Sequence, residues 1–453
     1  MDSASDDMDR KPMKRKIYQK LLEWKEESNG HTALLVEGAR RVGKSYIVEQ
    51  FARNEYGSYI LINFGDEDDA KYKELFERGI GVKQILTQIS LRSGIELVER
   101  NSLIILDEIQ LCPKARQAIK FLVQDGRYDY IETGSLMSIK ENVKGIVLPS
   151  EERSIKMFPM DFEEFCWAMG DKVTIPAIRE HFNSLEPFET EVHKAILQRF
   201  RTYMIVGGMP TAVETYSRTE DLMKAEIEKR AILDLYRNDA RKHGIRTRRT
   251  LEEIPALLMK HDKTIQQTSL DRNTKAESFE DTLFWLDDSM VANICYDTMD
   301  INIGLMMNME RTSVKCYMGD TGLLLTLAMM NGTIPDNSLL LSLLNDKLHV
   351  NEGMMMENIV SQMLRANSHE LLFHSFYNRE DNNNRYEIDF LIRKGGKICP
   401  IEVKSGDSTK HASLDRLMSM HSKALGQPYI INTKNVRKVG NICFIPIYMT
   451  ICL

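Results

Sequence analysis

Eight consecutive residues constrain this chain more than any other stretch: Gly38, Ala39, Arg40, Arg41, Val42, Gly43, Lys44 and Ser45. They fit the pattern G-x-x-x-x-G-K-[ST] at every fixed position. Glycines at both ends let the backbone curl until its N–H groups converge, which suits phosphate oxygens. Lys44 then places a point charge on the β- and γ-phosphates, and Ser45 offers a hydroxyl to Mg²⁺. The apolar run ALLVE enters the loop as a strand, and YIVEQFAR leaves it as a helix whose positive end faces the phosphates. The reading is a bound ATP held by these eight residues and the adjoining Tyr46.

The surrounding chain supports a parallel sheet. From His31 to about Ser135, the apolar runs Ala33–Glu37, Tyr59–Asn63, Ser102–Leu106 and Tyr130–Thr133 alternate with helical stretches. That alternation predicts βαβ units. The third run ends in Asp107 and Glu108, about sixty residues after the loop. Both motifs then reach the C-terminal edge of one sheet. Asp107 is expected to hold Mg²⁺, usually through water, and Glu108 to polarise the attacking water as general base. The fourth run leads into Gly134 and Ser135, and Thr133 or Ser135 stands where the γ-phosphate could be sensed.

Elsewhere the pattern is coarser. Ile17, Leu21, Leu22 and Trp24 predict an amphipathic helix. From about Phe162 to Leu258 the text is helical and charge-rich, broken at Gly207-Gly208-Met209-Pro210. From Thr264 to about Leu325 a helix, an apolar helix and a hairpin-like segment follow one another, an order compatible with a winged-helix unit. After Asn351 come a helix near Met354–Ala366, strands near Leu371–Tyr377, Tyr386–Arg393 and Lys397–Lys404, and a further helix and strand.

Composition narrows the classes. With 43% hydrophobic and 28% charged residues among 453, the chain is globular rather than disordered. Sixty Lys and Arg against 66 Asp and Glu give a net charge of −6, which speaks against a whole-surface polyanion binder. Two local basic runs remain, Arg10 to Lys16 and Arg237 to Arg249. They read either as phosphate contacts to DNA or as solvated faces. Seven scattered cysteines without C-x-x-C spacing suggest reduced thiols and a cytoplasmic protein, not zinc. The polar N-terminus has no apolar core of a secretory signal. No run approaches 18 apolar residues, so no membrane partner is expected. The 26 methionines read as core filler.

The pieces GARRVGKS, LIILDEIQ and ETGS, in this order, resemble the AAA+ superfamily. More narrowly, the chain resembles predicted prokaryotic ATPases that carry a C-terminal domain of the restriction-endonuclease-like fold. RSIKMFPMDFEEF at 153–165, YMIVGGMP at 203–210, YMGDTGLL at 317–324 and NEGMMMENIV at 351–360 fit that group. The resemblance implies an α/β protein with this order: a tail and helix over 1–30, an AAA+ P-loop core over 31–165, a helical lid over 166–260, a winged-helix-like region over 261–345 and a nuclease-like domain over 346–453. It also implies an arginine finger at Arg153, of a kind that often acts from a neighbouring subunit, and, since AAA+-like cores often hydrolyse at subunit interfaces, a homo-oligomer. The chain departs from the group there, with ERSIK in place of a Gly-Arg pair.

Near the C-terminus, Asp389 is followed by Glu402 and Lys404 in the spacing D-x₁₂-E-x-K. On a strand, residues two apart share a face, so Glu402 and Lys404 point together while Ile401 and Val403 enter the core. Carboxylates and a lysine gathered this way can hold a second divalent metal, Mg²⁺ or Mn²⁺, at Asp389 and Glu402 and orient a water toward a phosphodiester. The spacing resembles the PD-(D/E)xK nuclease pattern, and Glu357 matches its additional acidic residue. Two readings of the whole chain stay open. In one, ATP hydrolysis drives a metal-dependent DNA nuclease. In the other, it drives a switch or scaffold whose C-terminal module binds DNA or protein without cutting.

Overall fold

In a computed structural model the described residues are 13–134, 150–260, 263–266, 276–302, 304–330, 337–344, 352–378, 381–405 and 411–453. Ser135 and the first residues of the N-terminal basic run, Arg10 to Pro12, lie outside them. The chain divides into two compact units, Met1–Phe158 and Pro159–Leu453.

The first unit runs α1 (Ile17–Ser28), β1 (Ala33–Gly38), α2 (Lys44–Glu55), β2 (Ser58–Asn63), α3 (Ala70–Glu77), α4 (Val82–Ser93), β3 (Ser102–Asp107), α5 (Pro113–Asp125), β4 (Asp129–Gly134) and β5 (Glu152–Met157). All neighbouring strands are parallel, in the order β2-β3-β4-β1-β5. Every residue of β1, β3 and β4 is buried. Helices cover both faces of such strands, which is why ALLV and LIIL read as unbroken apolar runs. Alternation along β1 sends Leu34 and Val36 to one face, against Ile47, Val48 and Phe51 of α2 and Ile17, Leu21 and Trp24 of α1. Ala33 and Leu35 go to the other, with Ile85 and Leu86 of α4 and Ile119 and Leu122 of α5. Burying each large apolar side chain contributes about 1.5–3 kcal/mol. All four predicted strands form. The fifth, β5, is an edge strand whose Arg153, Ser154 and Lys156 leave no apolar run to detect.

The second unit opens with α6 (Phe162–Ala168), α7 (Thr174–Ser184), α8 (Thr190–Val206), α9 (Pro210–Thr219), α10 (Leu222–His243) and α11 (Ile245–Met259). Nine strands follow among the described residues: β6 (Ile265–Gln266), β7 (Ala292–Thr298), β8 (Met309–Met318), β9 (Leu372–Asn378), β10 (Asp381–Lys394), β11 (Lys397–Val403), β12 (Tyr429–Asn432), β13 (Arg437–Val439) and β14 (Ile442–Pro446). They make one mixed sheet in the order β13-β14-β12-β11-β10-β9-β7-β8-β6. Helices α12 (Ala276–Asp288), α13 (Thr321–Ala328), α14 (Asn337–Leu344), α15 (Glu352–Ala366) and α16 (Ala412–His421) lie among them in the chain.

Over 261–345, β6 pairs antiparallel with β8, and β8 pairs antiparallel with β7. The hairpin of β7 and β8 does form. However, β7 also pairs in parallel with β9, through Tyr296↔Leu372 and Asp297↔Phe373. The hairpin is thus a section of the same sheet as the C-terminal strands. Ala292 to Cys295 are all buried.

The motifs GGMP, DTGLL and ENIV turn out to be architectural. Asp320 caps α13 from a buried position. Its carboxylate accepts from Gly208 N at 2.6 Å, Leu323 N at 2.9 Å and Gln362 Nε2 at 3.4 Å. Met318 N donates to Asn358 Oδ1 at 2.7 Å, and Thr321 N to Gln362 Oε1 at 2.8 Å. Gly207 has φ +80°, and a Cβ on it would stand 2.4 Å from Asp320 Oδ1. A Cβ on Gly208 would stand 2.2 Å from the Met160 carbonyl oxygen. These pieces satisfy one another's buried backbone groups, as buried polar groups must be.

Candidate functional site

The loop after β1 is shaped by its own residues. Gly38 must lack a side chain because a Cβ would lie 2.5 Å from Met157 O on β5. Gly43 takes φ +94° and Arg41 φ +65°, which turns the chain into α2. Ala39 and Val42 are buried and pin the loop, while Arg40, Arg41 and Tyr46 are exposed around its rim. From behind, buried Arg15 donates to Val42 O at 2.9 Å and Phe158 O at 2.7 Å. The N-terminal basic run therefore supplies a brace to the loop as well as surface charge, a role its tail-like sequence does not signal.

Lys44 is buried, and its Nζ donates to Gly38 O at 2.9 Å and Ala39 O at 3.1 Å. Burial lowers its pKa, with Glu108 and Asp107 pulling it back up. Ser45 Oγ donates to Asp107, standing 2.9 Å from both carboxylate oxygens. Thr133 Oγ1 donates to Asp107 from β4. The strand order explains this contact. β4 lies between β1 and β3, so its C-terminal end sits between the loop and Asp107. Glu108 follows with φ +53°, and Gln110 Nε2 donates to its carboxylate. The Ser45 hydroxyl and the Asp107 carboxylate fit a Mg²⁺, whose remaining positions water and phosphate oxygens would fill.

Arg153 is not brought to this site within one chain. It pairs with Leu34 in the sheet register, near the start of β1 and away from the loop that follows Gly38. Its Nη1 lies 2.9 Å from Glu27, and half of its side chain is exposed. The second basic run is partly neutralised. Arg237 and Arg248 both bind Glu252 at 3.1 Å, whereas Arg241 and Arg249 face solvent.

In the second unit, Glu357, Asp389, Glu402 and Lys404 do meet. Asp389 accepts from Val403 N at 2.8 Å across β10 and β11. Glu402 is buried, with Lys404 Nζ at 2.9 Å. Burial raises the pKa of Glu402, and Lys404 opposes the rise. Burial and then the charge of Asp389 raise Glu357, against Lys315 and Lys263. Those two lysines gave no sign in the sequence. Lys263 Nζ donates to Glu357, whose other oxygen accepts from the Tyr317 hydroxyl at 3.2 Å. Lys315, fully buried on β8, lies 2.5 Å from Glu387 and 3.8 Å from Asp389.

This arrangement does not fit a resident metal. A divalent ion needs several carboxylate oxygens turned to one open point. Here Lys263 answers Glu357, Lys315 answers Glu387, the Val403 N–H answers Asp389 and Lys404 answers Glu402. Among the described residues, no group of three or more His, Cys, Asp or Glu side chains is spaced to hold an ion. Also among them, no helix is long and apolar enough to cross a membrane.

Comparison with known proteins adds family matches. Residues 30–166 match a family described as an AAA domain. Residues 197–333 and 352–449 match two domains of unknown function, DUF8612 and DUF4143. No curated protein matches the chain. Among solved structures, a Walker-type ATPase of Pyrococcus abyssi is similar at 15% identity and a TM-score of 0.42, over 70% of this chain and 96% of that one. The ORC1 protein of Aeropyrum pernix, solved with DNA, is similar at 12% identity and a TM-score of 0.30, over 70% and 94%. A STAND protein of Pyrococcus horikoshii with a tetratricopeptide-repeat sensor is similar at 10% identity and a TM-score of 0.24, over 76% and 47%. Scores this low carry no function across. The match over 30–166 coincides with the loop and strand-end residues just described, and it makes the first unit an AAA-type, ATP-binding ATPase domain.

Proposed function

We propose that the chain is a nucleotide-driven switch. ATP hydrolysis in the first unit sets the state of the second, whose C-terminal module binds DNA without cutting it. Lys44 would exchange the carbonyls of Gly38 and Ala39 for phosphate oxygens. Ser45 and Asp107 would hold Mg²⁺, which supplies charge that offsets the phosphates. Glu108 takes the proton of the attacking water, and Thr133 keeps Asp107 in place. Arg153 can complete only the site of a neighbouring copy, so the reading includes a homo-oligomer.

One observation carries the choice against cutting: the acidic cluster is already compensated by lysines. The other reading, metal-dependent cleavage, draws on the convergence of Asp389, Glu402 and Lys404. One experiment separates them. Purified protein is incubated with single- and double-stranded DNA, with and without ATP and Mn²⁺, alongside Glu108→Gln and Asp389→Ala. The switch predicts DNA retention that depends on nucleotide and no broken strand. Strand breakage that disappears in Asp389→Ala would replace it with the nuclease reading. Equal DNA affinity with and without ATP would remove the switch.

A further inference from the structure

The C-terminal acidic residues and the lysines that answer them come from different stretches of the chain. Glu357, Glu387, Asp389 and Glu402 fall in the matched span 352–449. Lys263 and Lys315 fall in the span 197–333. Lys315 projects from β8, and its side chain is only 1% exposed. Its ammonium stands 4.9 Å from the centroid of the Phe373 ring, so one side of it meets an aromatic face instead of water. A lysine buried this deeply is costly unless opposite charges surround it. Glu387 at 2.5 Å and Asp389 at 3.8 Å do so. The same argument runs from the other side. Without Lys315, Asp389 would keep one backbone hydrogen bond and Glu387 would lose its nearest ammonium.

We infer that Lys315 is a built-in counter-cation of the C-terminal acidic site, lent by the upstream domain, and that it takes the position a divalent ion would need. The inference rests on reading that site as metal-free. It adds a named residue that keeps it so. Lys315 acts through the carboxylates and is a positioning residue. A purely packing role would predict loss of stability on substitution but no new affinity for a metal.

The test uses the full chain without nucleotide, titrated with MnCl₂ by calorimetry and melted with and without Mn²⁺. Wild type and Asp389→Asn are expected to give the same isotherm. Lys315→Met is expected to gain one saturable Mn²⁺ site and a melting temperature that rises with Mn²⁺. Lys315→Met/Asp389→Asn is expected to lose both gains. A wild-type site that vanishes in Asp389→Asn would overturn the inference, and that comparison decides even if Lys315→Met does not fold. A folded Lys315→Met with no new Mn²⁺ site would also overturn it. DNA retention that ignores nucleotide would instead remove the switch and leave Lys315 untouched.

Discussion

Lys315 Nζ lies 3.8 Å from the Asp389 carboxylate, although β7 and β9 stand between their strands in the sheet. Three strand steps set the two backbones roughly 14 Å apart, a gap shared by the two side chains and the space between them. Lys315 reaches across the face of the sheet, over the Phe373 ring of β9, toward the carboxylates of β10. Lys315→Met should destabilise the second unit by about 3 kcal/mol, the low end for a broken buried pair, because Glu387 keeps partial access to water. Adding Glu387→Gln should restore about 1 kcal/mol of that, as a double-mutant cycle in urea would read.

At the nucleotide site, two variants should separate binding from chemistry. Lys44→Ala should weaken labelled ATP by at least about tenfold at equilibrium, because it removes a charge-assisted contact to phosphate. Glu108→Gln should bind ATP normally and hydrolyse it about 10²-fold or more slowly, the usual scale for a lost general base. Unchanged ATP affinity in Lys44→Ala would place the nucleotide elsewhere.

The polar joint in the second unit makes a sharper demand than its motifs suggest. Gly208→Ala drives a Cβ to 2.2 Å from the Met160 carbonyl oxygen, where only backbone movement gives relief. It should cost about 3 kcal/mol or more in a denaturant midpoint. Asp320→Ala should cost about 2–4 kcal/mol by stranding the Gly208 and Leu323 N–H groups. Neither change touches the nucleotide, so ATP affinity should stay as in wild type wherever the protein folds.

Stability should also depend on pH through Glu132 on β4. Burial, and then the charge of Glu152, hold its carboxyl well above the ordinary value near 4.5, with Arg116 opposing. The folded state thus keeps a proton that the unfolded chain releases. That contribution is complete below the unfolded value and is lost as pH rises through the raised folded value. Glu132→Gln should flatten this decline, measured as protection of β4 amides from hydrogen exchange across a pH series. An unchanged slope would mean that Glu132 is ionised in the fold.

The nucleotide site was legible because its chemistry needs contiguous residues. Gly38 to Ser45 and Asp107-Glu108 declare themselves over a few positions, and the apolar runs before them order the sheet. Arg15 was hidden, since a side chain that reaches back to Val42 O leaves no periodic trace in a polar tail. Asp389 and Glu402 stood out by spacing and Glu357 by resemblance, and Asp389 accepts from Val403 N, next to Glu402. Lys315 did not, because a lysine on a hairpin strand looks like a solvent-facing residue until β9 and β10 join the sheet beside it. The full extent of the second sheet was hidden for a related reason. Local order predicts the hairpin of β7 and β8, but the parallel pairing of β7 with β9 joins residues more than seventy positions apart and writes nothing into either segment.

That pairing also limits modularity. A fragment beginning at residue 352 would present β9 as a bare edge, with Leu372 and Phe373 deprived of their partners on β7. Unpaired edges of this kind recruit other chains and aggregate. The same cut would leave Glu387 without the ammonium of Lys315. The C-terminal stretch is therefore poor material for grafting or for study as an isolated domain. What can be transplanted is the larger block that carries β6, β7 and β8 with it.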